Sequence, residues 1–144
     1  MIQKEEGLKM SDRALSEFER LLGDETSPWF EYNLEMASES LNQFTCEDWL
    51  DLQSKVLSFS ACVQERCAEA VGDFAGNDGV AVLTTLLASS PYLDVAAIAA
   101  SQLDDMEIEL PLSMRTRLQQ LLDHLTAQGS TRAEDVQRLI SLLK

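Results

Sequence analysis

The segment Val63–Phe74 is followed 32 positions later by a similar one, Val95–Met106, and this self-similarity limits the chain to few architectures. Val63 aligns with Val95, Cys67 with Ala99, Ala68 with Ala100, Val71 with Leu103, Asp73 with Asp105 and Phe74 with Met106. Each copy reads as a helix with a small-residue inner face. A period of this size marks stacked helical units, each burying its apolar face against the next. Such stacks make binding surfaces more often than chemical active sites.

The rest of the chain agrees. Ser11 is a predicted N-cap for a first helix with Leu15, Phe18, Leu21 and Leu22 on one face, after a flexible lead over 1–10. Ser27-Pro28 is expected to open the second, whose apolar positions are Phe30, Leu34, Ala37, Leu41 and Phe44. Glu31, Glu35 and Glu39 form a separate stripe with no base one turn on to offset it. Thr45 with Asp48 caps a third helix carrying Trp49, Leu52 and Val56, with Asp51 and Lys55 spaced as an ion pair. A fourth helix spans 61–72 and ends on Gly72. After the Gly76–Gly79 turn come a fifth helix from Val80, a sixth capped by Asp94, a seventh capped by Ser113 and an eighth capped by Thr131 with Glu134. No stretch alternates with the period of a strand. The prediction is all-α: about eight helices in antiparallel pairs, forming one domain over 11–144 as a HEAT-like, α-solenoid stack.

The stretch from about 62 to 106 resembles HEAT repeats. Residues 63–74 have the second-helix shape of that family, 77–87 the following first helix, and 94–106 a second helix again, with Asp104 where a glycine is usual. More loosely, a small, acidic, all-helical chain without catalytic residues is similar to bacterial immunity proteins, which neutralise a toxin domain. That resemblance implies a basic, nuclease-like partner.

Charge points to a cationic partner independently. The net charge is −14, and it is uneven: residues 1–110 hold 22 acids against 6 bases, residues 111–144 hold 3 against 5. Such a field repels nucleic acid and anionic membranes and speeds encounter with cations. No run is apolar enough to span a membrane, and the charged start has no signal-peptide core, so the expected location is cytoplasmic. Cys46, Cys62 and Cys67 form no CxxC pair and are expected to be buried, reduced thiols.

No motif for catalysis or phosphate binding occurs. His124, the single histidine, sits among leucines beside Asp123 with no partner set for catalysis or metal. Asp104, Asp105, Glu107 and Glu109 are dense but lack the turn glycine and alternating pattern of a calcium loop. The reading is therefore not an enzyme, with no cofactor and no metal.

Acid placement locates the expected binding surface. Asp73, Asp104 and Asp105 fall at predicted helix C-termini, where the helix dipole disfavours them, and no base occurs between Arg66 and Arg115. Glu65, Glu69 and Asp73 form one stripe. The equivalent stripe on the sixth helix is Ala97, Ser101 and Asp105, which stacking would set alongside to leave a concave face with room for a partner's side chains. Tyr92, after Pro91, is the expected exposed aromatic anchor, with Trp29 and Trp49 as further candidates. The candidate site is thus Glu65, Glu69, Asp73, Tyr92, Asp104, Asp105, Glu107 and Glu109. Charge reversal at Asp104 and Asp105 is expected to weaken binding without lowering the melting temperature. The functional expectation is an immunity protein capping a basic toxin domain; the alternative is a secretion chaperone or HEAT-like scaffold or adaptor subunit.

Overall fold

The computed structural model describes residues 13–144, so the expected lead over 1–10 and the Ser11 cap lie outside the described residues. Among the described residues there are eight α-helices and no strand: α1 (13–22), α2 (Glu31–Ser40), α3 (Cys46–Lys55), α4 (Ala61–Phe74), α5 (Val80–Ser89), α6 (Leu93–Asp105), α7 (Arg115–Gln128) and α8 (Arg132–Ser141). None of them is long and apolar enough to cross a membrane.

The even-numbered helices form one layer in the order α2, α4, α6, α8, each packed against the next. They run parallel. Trp29 meets Glu69 near the start of α2, and Asp73 shares a groove with Glu35 and Glu39 further along. The side chain of Gln102 lies over Gly72, while Ser101 and Asp104 of α6 meet Asp135 and Arg138 of α8 at the same offset. The other helices back this layer. Glu19 of α1 holds Lys55 of α3 at 2.9 Å, α3 packs on α5, and short connections fold α5 onto α6 and α7 onto α8.

One apolar core runs from Leu15 to Leu139. At the α1 end it is aromatic: Phe18, Phe44, Trp49 and Phe74 make a chain with ring centroids 5.6, 5.0 and 5.8 Å apart. Trp49 is therefore a core residue, 7% exposed. The repeat register holds in the packing, with Cys67 and Ala99, Ala68 and Ala100, and Val71 and Leu103 all fully buried. Burial pushes the Cys67 thiol far above its ordinary range, whereas Cys46 is exposed, contrary to expectation.

Several helix ends differ from the sequence reading. Ser27 does not cap α2. Its hydroxyl joins the turn built on Asp24 and its carbonyl accepts from Arg66, and the chain stays non-helical through Trp29. Helix α2 starts after Phe30, whose N–H donates to Asn33 Oδ1 at 2.9 Å. Lys55 pairs with Glu19, not Asp51. Gly72 lies inside α4, where the absence of a Cβ lets Gln102 pack; the left-handed cap is Ala75, at φ 56°. Tyr92 stands at the start of α6, with Asp94 in its first turn. A 3₁₀ turn over Leu112–Met114 precedes α7, so Ser113 is no cap. Thr131 makes no side-chain cap; Ser130 Oγ accepts from the Arg132 N–H instead.

Candidate protein-binding surface

Helix α4 positions the centre of the surface. Ser60 Oγ accepts from the Val63 N–H to start it. Its inner side is fixed by two long-range polar anchors. Buried Gln64 donates to the carbonyls of Leu57 and Phe59 and accepts from Ser90 Oγ at 2.7 Å. Buried Arg66 donates to the carbonyls of Leu22 (2.8 Å) and Ser27 (3.0 Å), with its guanidinium 5.3 Å from the Trp29 ring centroid. With one side pinned in this way, Glu65, Glu69 and Asp73 face outward at successive turns.

The three carboxylates meet different neighbours. Glu69 accepts from the Trp29 indole N–H at 2.6 Å, which fastens the segment leading into α2 onto α4. Asp73 is exposed and lines an open groove of about 380 Å³ with Glu35, Ser38, Glu39, Asn42 and Phe74. Glu65 is half-buried, and its pKa is raised by burial first and then by the charges of Glu69 and Asp94. Asp94 lies 3.3 Å from His124 Nε2. Glu35, Glu39, Glu65, Glu69 and Asp73 make no ion pair with a base among the described residues. Parallel packing of α2, α4 and α6 thus gathers acids whose sequence positions run from 35 to 94.

The second acidic group is elsewhere and differently balanced. Asp104, at the end of α6, takes two bonds from Arg138 of α8 (3.0 and 2.8 Å), and its side chain is only 10% exposed. Glu109 pairs with Lys144 at 2.7 Å. Asp105 and Glu107 are exposed. Glu107 has φ 58° and takes the left-handed position usual for glycine, with the Ile108 N–H returning to the Leu103 carbonyl at 3.0 Å. Both counter-charges come from residues more than 30 positions downstream.

Two of the three positions of the α6 stripe are not open to a partner. Ala97 and Ser101 are 1% and 5% exposed, and the Ser101 hydroxyl donates to Asp135 Oδ2 at 2.6 Å because α8 packs there. Tyr92 is exposed at 42%, with its N–H held by Ser90 Oγ. The structure therefore joins Glu65, Glu69 and Asp73 to Glu35, Glu39 and Asp94, and puts Asp104, Asp105, Glu107 and Glu109 at the α8 side of the layer. The stripe at 31, 35 and 39 was visible as unbalanced charge; its pairing with α4 was not.

No protein-family model, no curated protein and no solved structure matches this chain.

Proposed function

We propose that the chain is a non-enzymatic binding domain for a basic protein, and in its sharpest form an immunity protein that caps a cationic toxin domain. One observation carries this reading: five carboxylates, Glu35, Glu39, Glu65, Glu69 and Asp73, lie across two adjacent helices without a basic partner among the described residues. At Glu65 the cost to the isolated fold is direct: partial burial first, and then the charges of Glu69 and Asp94, raise its pKa. A partner bringing lysines or arginines would relieve it, since opposite charge favours the ionised carboxylates. The same surface would guide encounter, with an association rate that falls as salt screens it. A HEAT-like repeat stack is the framework that the recurring helices support.

The test begins with a pull-down from the native cell and measurement of the charge and activity of the protein retained. The reading expects a basic domain, inhibited at one-to-one stoichiometry, with an association rate that drops about tenfold or more between low and physiological salt. A double reversal at exposed positions, Glu35→Lys with Asp73→Lys, should weaken that complex while the melting temperature holds. A retained partner that is acidic, or affinity indifferent to salt, would sink the proposal.

A further inference from the structure

Helix α2 is the outermost member of the even layer, packed on α4 on one side. Terminal helices of a stack need a polar outer face, because nothing beyond them covers apolar groups. Helix α2 departs from that rule. Tyr32 is 67% exposed and Met36 37%, while Phe30, the N-cap that precedes the helix, is 73% exposed. Tyr32 and Met36 are one turn apart and lie beside Glu35 and Glu39 as the helix turns, and these two acids line the groove with Asp73. An apolar ridge and an acidic groove are therefore contiguous. Aromatic and methionine side chains flanked by charge typify the anchors of protein interfaces, where they supply most of the affinity.

We infer that the outer face of α2 is a docking surface for a basic, amphipathic segment of a partner protein, its apolar side chains resting on Tyr32 and Met36 and its lysines or arginines reaching Glu35, Glu39 and Asp73. Charge selects this occupant. A second copy paired symmetrically through this face would bring matching acids, and an acidic or neutral peptide would leave the groove carboxylates uncompensated. The inference rests on the proposed function and adds to it the helix that carries the contact. The apolar ridge gives affinity that survives moderate salt, and the groove sets the sign of the charge accepted.

The test uses the full chain and three synthetic helical peptides of equal length: leucine with lysine, leucine with glutamine, and alanine with lysine. Amide shifts are followed by NMR. The leucine–lysine peptide is expected to bind tightest of the three and to shift residues 30–40 and 73 first. Tyr32→Ala with Met36→Ala should weaken it about tenfold while the melting temperature stays unchanged. Shifts confined to residues 104–109 and α8 would overturn this placement yet leave the basic-partner reading standing. No response to either lysine peptide would instead remove the basic-partner reading itself. Two other results overturn the inference: self-association lost in Tyr32→Ala, which makes the occupant a second copy, and nuclear Overhauser contacts from Tyr32 to Ile2 or Leu8, which make the face internally covered.

Discussion

Glu65 shows how a single side chain reports the whole surface. Its raised pKa means that the folded state binds the proton more tightly than the unfolded chain does. The stability tied to that proton is fully present below the ordinary glutamate range and is lost as pH rises through the elevated folded value. At neutral pH the ionised Glu65 therefore works against the fold. Glu65→Gln should raise the melting temperature at pH 7, by an amount corresponding to several tenths of a kcal/mol for a like-charge pair one turn apart, and the gain should vanish near pH 4. A gain that persists at acid pH would mean that packing, not charge, is responsible. Arg66 is the opposite case. Buried, it satisfies the carbonyls of Leu22 and Ser27, so Arg66→Ala should cost about 2–3 kcal/mol in urea unfolding, with Arg66→Lys recovering only part because one ammonium cannot reproduce the planar fork.

At the scale of the element, helix ends carry the discrepancies between sequence and structure. Ala75 and Glu107 occupy left-handed positions where a Cβ is strained. Ala75→Gly and Glu107→Gly should each stabilise the fold by about 0.5–1 kcal/mol, measured as a shift in the urea midpoint at constant slope. The glycine near the end of α4, Gly72, lies within the helix and serves close packing. The atoms an added methyl there meets first all belong to the flexible side chain of Gln102. Gly72→Ala should thus be near neutral, because better helix propensity offsets displacement of that side chain, and adding Gln102→Ala should turn it into a gain of about 1 kcal/mol. The cap that reads correctly is a local one: Thr45 with Asp48 needs only residues three apart. The caps that failed, Ser27, Asp94, Ser113 and Thr131, give way to neighbours a few residues off: the Asp24 turn, Tyr92, the turn at Leu112–Met114 and Ser130.

At the scale of the molecule, the balance of the two acidic groups decides which mutations touch stability and which touch binding. Asp104 was expected to be a free surface charge. It anchors α8 through Arg138, so Asp104→Lys should lower the melting temperature, whereas Asp105→Lys, at an exposed neighbour, should not. Equal melting temperatures for the two variants would contradict the assignment of Asp104 to the α6–α8 contact. The helical class was legible because amphipathic spacing is local, and the layer was legible in part because Val63–Phe74 and Val95–Met106 repeat in register. What distinguishes the two groups was not legible. Arg138 and Lys144 neutralise Asp104 and Glu109 from more than 30 residues away, α8 closes over Ala97 and Ser101, and α2 brings Glu35 and Glu39 to Asp73.

The amino-acid order alone determined an all-helical chain with a 32-residue recurrence and a strong negative charge, because helix periodicity and charge count depend on neighbours a few positions apart. Tertiary structure decided which carboxylates stand without a counter-charge and which apolar side chains of α2 stay uncovered. Both depend on which helices become neighbours in space, and burial of the shared core, not the surface charges themselves, sets that order.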